Sequence, residues 1–279
     1  MILSGRAKLA GVMGWPVGHS RSPRLHGYWL AHYGIDGAYV PLPVAPENLP
    51  RALRALPLFG IAGVNLTVPH KEKALPAMDT LTSAARRIGA VNTVVVRDGK
   101  LHGDNTDGFG FVESLRSSVP EWRPAAGPAT LIGAGGAARA ILAALIEAGV
   151  PRVCLVNRTE ARAEALAREF GGPIGVIPWA DRETALEGVA LLVNTTTLGM
   201  TGQPPLDLAL DRLAPTAAVC DIVYTPLETA LLAAARARGN PSIDGLGMLL
   251  HQARPGFESW FGVAPAVTAQ LRTFVIQGL

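Results

Sequence analysis

Lysine is scarce in this 279-residue chain: of its 25 basic residues only Lys8, Lys71, Lys73 and Lys100 carry an amine, and the rest are arginine. A lysine that persists in such a background is a candidate for an amine that must give up a proton, which a guanidinium does not do. Cysteine is scarcer still. Cys154 and Cys220 lie in the apolar runs VCLVN and AAVCDIVY, with no CxxC pair and no Cys/His cluster at ligand spacing. That excludes a disulfide framework and points to buried thiols in a reducing cytoplasm. No apolar run approaches the ~20 residues needed to span a bilayer. The N-terminal MILSGRAKLAGVMGWPVGHS has no uninterrupted apolar stretch and no cleavage site, so no signal peptide is expected. The net charge of +3 is spread singly among acids, as in EARAEALAREF (160–170), which argues against a nucleic-acid surface. With 49% hydrophobic and 17% charged residues, the composition is that of a globular protein in the cytoplasm with no membrane or nucleic-acid partner.

What is present is alternation. At about 150 residues per domain, the length suits two domains. LAGVMGW, AYVPLPV and GVNLTVP read as strands, with helices at SPRLHGYWLAHYG, ENLPRALRAL and near 79–88 between and after them, a pattern implying parallel strands with crossover helices. Asp98-Gly99 then separates two strand-like runs as a tight hairpin turn. After RPAAGP (123–128), a plausible linker, the alternation restarts with strands ATLIG, RVCLVN, IGVIP, ALLVNTT and AAVCDIVY, and helices GGAARAILAALIEAG and TEARAEALAREFGG. The C-terminus is helical and no longer alternates. The expected architecture is α/β with two domains: an N-terminal domain over 1–107, a Rossmann-type domain over 108–244, and C-terminal helices over 245–279 that return to the first.

The cofactor assignment rests on two local patterns. TLIGAGGAARAILAAL places Gly133, Ala134, Gly135, Gly136, Ala137 and Ala138 between a strand and a helix, close to the dinucleotide fingerprint with Ala in the last position. Glycines there let a pyrophosphate approach backbone N–H groups at a positively polarised helix N-terminus. No Gly-Lys-Ser/Thr follows, so it is not a triphosphatase loop. The next strand ends in Asn157-Arg158-Thr159, with Arg162 one turn on. An NAD site usually has an acid there, about 20 residues after the glycines, for the ribose 2′-OH. Neutral and cationic donors suit a 2′-phosphate instead, so the cofactor is expected to be NADP.

Eight runs in order carry a family likeness: GWPVGHSRSPRLH (14–26), GVNLTVPHKE (63–72), GAVNTVV (89–95), GDNTDG (103–108), IGAGGAA (132–138), NRT (157–159), DIVYTPLET (221–229) and DGLGMLLHQA (244–253). Together they span nearly the whole chain, which resembles the shikimate dehydrogenases. The resemblance implies reversible NADPH-dependent reduction of 3-dehydroshikimate to shikimate in aromatic amino-acid biosynthesis. It implies Lys71 and Asp107 as the catalytic pair and Ser20 and Ser22 as the carboxylate clamp. Thr67, Asn92, Tyr224 and Gln252 fall at positions that contact or support the ring hydroxyls, and Ile222 and Gly245 at positions near the nicotinamide. A catalytic cleft between the two domains is expected, in a monomer or homodimer.

These residue types also suit the chemistry by themselves. Reducing a ketone creates alkoxide charge, so a proton donor must stand beside the oxygen, and such groups contribute about 10² to 10⁴-fold. Short neutral side chains such as Asn92, Thr67 and Gln252 suit a polyol. Serine is also a common helix cap, so capping is the competing role for Ser22, and turn formation the competing role for Asp107. His19, His26, His70 and His251 lack carboxylate–His ligand spacing, so no metal is expected. Two positions depart from the family pattern: Ser83 stands where relatives often carry an acid near the nicotinamide, and His70 replaces an aromatic residue before the lysine. The rival readings are a quinate/shikimate dehydrogenase of the same fold and a catalytically silent NADP-binding regulator.

Overall fold

The computed structural model describes residues 2–277. They form two compact units: residues up to Thr106 with those from Gln252 onward, and Asp107–His251.

The first unit is built on β1 (Lys8–Gly14), α1 (Ser22–His32), β2 (Gly37–Pro43), α2 (Leu49–Ala55), β3 (Ile61–Leu66), β4 (Thr80–Leu81), α3 (Ser83–Ile88), β5 (Thr93–Arg97) and β6 (Lys100–Asp104). Its sheet runs β2-β1-β3-β5-β6-β4. β1, β2 and β3 are parallel, whereas β5 is antiparallel to both β3 and β6. The pairing of β5 with β6 follows from the expected hairpin: Asp98 and Gly99 both have positive φ, 51° and 71°, the geometry of a tight turn between twisted strands. Two expectations change here. The sheet is mixed rather than parallel, and the helix near 79–88 is confined to α3. The Asp79 carboxylate accepts the Leu101 N–H at 2.7 Å, which draws the chain to the sheet edge, so β4 forms first and Thr82 caps α3 through Ala85 N–H.

The second unit contains α4 (Asp107–Ser118), β7 (Ala129–Ile132), α5 (Gly136–Ala148), β8 (Val153–Val156), α6 (Glu160–Phe170), β9 (Ile174–Ile177), β10 (Leu191–Asn194), β11 (Ala218–Asp221), α7 (Ala230–Ala237) and β12 (Ser242–Ile243). All six strands are parallel, in the order β12-β11-β10-β7-β8-β9. Counted from β7, this is the doubly wound dinucleotide-binding order, which reverses between β7 and β10. The central strands are largely apolar because both faces are covered: Leu131, Leu155 and Val193 pack into one core cluster, Ile132, Val156 and Leu192 into another. α8 (Gly245–Phe261) begins in this unit and ends in the first, where α9 (Ala269–Ile276) follows.

Within the first unit the terminal helices lie on α1. Trp29 Nε1 donates to the Ala266 carbonyl at 3.0 Å, and Arg24 Nε to the Phe274 carbonyl at 2.7 Å. Trp260 reaches the sheet itself, donating through Nε1 to the Val94 carbonyl at 3.1 Å. That contact passes over Gly63, next to an offset in the β1–β3 pairing that leaves Ala62 unpaired. A Cβ on Gly63 would meet Val94 O at 2.1 Å and Trp260 Nε1 at 2.2 Å. Backbone cannot yield as a side-chain tip can, so Gly63→Ala is expected to destabilise the protein by about 2–4 kcal/mol through overpacking and the lost indole bond. The check is the midpoint of denaturant unfolding with the slope unchanged.

Candidate active site

In the first unit two of the candidate residues, Asn92 and Gln252, meet in a buried set of amides and hydroxyls. Asn92, immediately before β5, is 2% exposed. Its Oδ1 accepts from Thr106 N–H and from the Thr93 hydroxyl, both at 2.9 Å, while its Nδ2 donates to Thr106 Oγ1 at 3.1 Å and to Gln252 Oε1 at 3.3 Å. Thr106 Oγ1 in turn donates to the Gln252 carbonyl at 2.8 Å. Asn92 and Gln252, 160 residues apart in sequence, are thus direct partners. Behind them Asn65, on β3, donates through Nδ2 to the Asn92 carbonyl and to Thr93 Oγ1, both at 3.1 Å, and its Oδ1 accepts from the Tyr39 phenol at 2.7 Å.

Lys71 and Thr67 lie in the segment after β3, both half-buried. The Lys71 carbonyl accepts from Val91 N–H at 2.8 Å, which ties this segment to the residue preceding Asn92, and Thr67 N–H donates to the Met13 carbonyl at 3.0 Å. His70 is fully buried, and its Nε2 meets the Val44 carbonyl at 2.8 Å. A carbonyl only accepts, so that nitrogen carries the hydrogen; burial lowers the basicity of the ring. His70 is therefore a neutral packing group that also anchors the segment. Ser83 is exposed at the start of α3.

Ser20 and Ser22 stand at the entry to α1, where Ser20 Oγ accepts from Ser22 N–H at 3.3 Å. Capping does not account for Ser22: the N-cap residue is Arg21, whose side chain makes no cap bond, and Ser22 already lies in the first turn of the helix. Four residues on, His26 is fully buried with both ring nitrogens unpartnered, its ring stacked on Tyr39 at 3.9 Å and 6°. Burial lowers its pKa to about 3. The unfolded chain then binds a proton that the folded chain refuses, so stability falls as pH drops from about 6.5 toward 3. The share of His26 between pH 7 and pH 5 is about 2 kcal/mol. His26→Phe is expected to remove that dependence, as measured by denaturant unfolding at the two pH values. Among the described residues no group of three His, Cys, Asp or Glu could hold a metal ion, and both cysteines are buried and free.

In the second unit the glycine turn falls where the strand order reverses. Gly133 has φ 118°, its N–H donates to the Val156 carbonyl at 2.8 Å, and a Cβ there would meet Thr195 Oγ1 at 2.4 Å. Gly135 and Gly136 differ: nothing lies within 4 Å of a Cβ built on either. Nothing else in the chain demands glycine at those two positions, and α5 has no side-chain cap, so the turn leaves bare N–H groups and room for a phosphate at a helix N-terminus. Ala134, Ala137 and Ala138 complete the turn, with Ala138 fully buried against the sheet. At the end of β8, Asn157 Nδ2 bonds the Thr159 carbonyl at 2.8 Å. Arg158, Thr159 and Arg162 are exposed, and neither arginine is engaged by a carboxylate among the described residues. These groups fit a dinucleotide bearing a 2′-phosphate.

Ile222 and Gly245 are brought together: Gly245 N–H donates to the Val223 carbonyl at 3.1 Å, and a Cβ on Gly245 would lie 2.0 Å from Ile222 O. Their neighbour Asp221 is 1% exposed and accepts from Asn194 Nδ2, Val223 N–H and the Thr229 hydroxyl at 2.8–3.0 Å. Burial raises the carboxyl's pKa and the three donors partly offset it. The result is a clasp joining the ends of β10 and β11 to the start of α7. Thr195 and Thr196, just after β10, lie beside Gly133 at the strand-order reversal, a placement that motif reading did not anticipate. Asp107 is buried at the first position of α4, and Tyr224 is half-buried after β11.

A doubly wound parallel sheet with an open glycine turn at its reversal, carried on a chain with a second α/β unit, defines the class of nucleotide-dependent oxidoreductases. The comparisons narrow that class. Residues 12–94 match the family model of the shikimate dehydrogenase substrate binding domain, and residues 123–199 that of shikimate / quinate 5-dehydrogenase. The shikimate dehydrogenase (NADP(+)) of Rhodospirillum rubrum is 64% identical over 280 residues, covering 99% of each chain. Among solved structures, shikimate 5-dehydrogenase from Thermus thermophilus, in complex with NADP(H) and shikimate, superposes with a TM-score of 0.87 at 38% identity, covering 98% of this chain and 100% of that one. Quinate dehydrogenase from Corynebacterium glutamicum, in complex with NAD, gives 0.89 at 30%, covering 96% and 98%. The chain belongs to the shikimate dehydrogenase family.

Proposed function

We propose that the protein catalyses the NADPH-dependent reduction of 3-dehydroshikimate to shikimate in aromatic amino-acid biosynthesis, acting in the cytoplasm as a monomer or homodimer. The observation that carries this reading is 64% identity along essentially the whole chain to an enzyme named shikimate dehydrogenase (NADP(+)). Residues 1–107 with 245–279 would handle substrate and 108–244 the cofactor. No helix among the described residues is long and apolar enough to cross a membrane, and the two free thiols suit a reducing compartment.

The chemistry NADPH supplies when bound is hydride transfer to the ketone carbon. Gly133–Ala138 would receive its pyrophosphate; Asn157, Arg158, Thr159 and Arg162 would receive its 2′-phosphate; Ile222 and Gly245 would flank its nicotinamide. Lys71 gives a proton to the carbonyl oxygen as negative charge develops there, and takes it back in the reverse direction. Asp107 orients that amine. Ser20 and Ser22 donate to the substrate carboxylate, and Asn92, Thr67, Tyr224 and Gln252 bind or support the ring hydroxyls.

The test is the rise of reduced-nicotinamide absorbance on mixing protein, NADP and shikimate, run beside quinate and beside NAD. A rise fastest with NADP and shikimate is expected. A faster rate with quinate, whose carboxylate-bearing carbon has an extra hydroxyl, would transfer the protein to the quinate branch that the likeness to quinate dehydrogenase represents. No rise with any pair, alongside measurable NADP binding, would mark a silent NADP-binding regulator.

A further inference from the structure

We propose that Tyr39 is a positioning residue that ties Ser22, at the start of α1, to Asn92, ahead of β5, and so sets the spacing between the two ends of the bound substrate. The inference rests on the roles given above to Ser22 and Asn92. Tyr39 sits on β2 with its side chain buried, and it meets both elements. Toward α1, its ring stacks on His26 at 3.9 Å, one helical turn from Ser22 on the same face. Burial keeps His26 uncharged in this setting, and its ring meets Tyr39 by stacking.

Toward the sheet, the phenol starts a chain of hydrogen bonds with one permitted direction. Tyr39 O–H donates to Asn65 Oδ1 at 2.7 Å, which turns Asn65 Nδ2 toward Thr93 Oγ1 at 3.1 Å; the Thr93 hydroxyl then donates to Asn92 Oδ1 at 2.9 Å. Reversing either amide would set donor against donor. The orientation of Asn92, and therefore which of its atoms faces Thr106 and Gln252, is thus held from two sides: directly by Thr106 N–H on Oδ1, and through this chain by a phenol three groups away that need not touch substrate. Removing the phenol's hydrogen takes from Asn65 the bond on its Oδ1, leaving the amide held only through Nδ2, and so loosens the hold of this chain on Asn92.

Steady-state kinetics on Tyr39→Phe, Thr93→Val and the double variant test this. Each single change is expected to raise KM for shikimate about five- to tenfold, with kcat and KM for NADP within about twofold. Because both cut one chain, the double variant should be no worse than the more severe single. Thr93→Ser, which keeps the hydroxyl, should restore KM. An unchanged KM in Tyr39→Phe, additive effects in the double variant, or a loss of thermal stability with KM for shikimate unmoved would each overturn the proposal. Should Tyr39→Phe fail to fold, Thr93→Val against Thr93→Ser decides it alone. Activity in the wild type with unaltered variants sinks this inference and spares the assigned function. A wild type inactive on shikimate sinks both.

Discussion

Lys71→Ala is expected to lower kcat for shikimate oxidation at least about 100-fold while leaving shikimate affinity close to that of the wild type. The asymmetry follows from where the groups sit. The carboxylate and hydroxyl contacts assigned to Ser20, Ser22, Asn92 and Gln252 come from α1, the start of β5 and α8, none of which depends on the lysine side chain. The backbone of residue 71 is itself held by Val91 N–H at 2.8 Å, and its neighbour His70 by Val44. Truncating the amine therefore removes a proton carrier without releasing the segment. An interaction made only as the alkoxide forms should reduce kcat and kcat/KM together. Lys71→Arg is expected to remain nearly as impaired as Lys71→Ala, because a guanidinium keeps charge but does not exchange its proton in the working range. Steady-state kinetics with calorimetric shikimate affinity distinguish these outcomes, and a loss in kcat below about tenfold would remove lysine from proton transfer.

Much of this molecule can be read residue by residue, and what cannot shares one cause. The hairpin at Asp98-Gly99, the glycine turn and the acid-free end of β8 are local signals, each set within a few residues. They were legible because backbone conformation and charge are properties of short windows. Strand order is not. The antiparallel placement of β5, the two-residue strand β4 and the meeting of Thr195 with Gly133 depend on pairings across tens of residues, so the two threonines at the reversal of the second sheet went unmarked. Polar residues inside strands are similarly opaque. Asn65 and Thr93 carry no local signal; only their partners show them to be links in one chain. Ser22 errs the other way: its sequence context suits a helix cap, yet the structure puts the N-cap of α1 at Arg21 and leaves the hydroxyl for another use.

The double variant Arg158→Ala with Arg162→Ala is expected to reduce the ratio of kcat/KM for NADPH over NADH by about 10- to 100-fold, almost entirely through the NADPH value. Both side chains are exposed, and neither is engaged by a carboxylate among the described residues, so their removal breaks no ion pair and costs the fold little. A hydrogen bond to a charged group contributes about 1.5–3 kcal/mol. Full exposure screens that value, which places two such contacts near the lower end of the range rather than at its sum. NADH has no 2′-phosphate and should lose almost nothing. Asn157 sets the geometry rather than the charge: its Nδ2 holds the Thr159 carbonyl at 2.8 Å, so Asn157→Ala is expected to weaken NADPH less than the double arginine change and to do so without a salt dependence. The arginine contribution, being ionic, should shrink as ionic strength rises past about 0.1 M, where the screening length is about 10 Å. Equal losses for NADPH and NADH in the double variant would mean that the arginines stabilise the β8–α6 turn and do not read the phosphate.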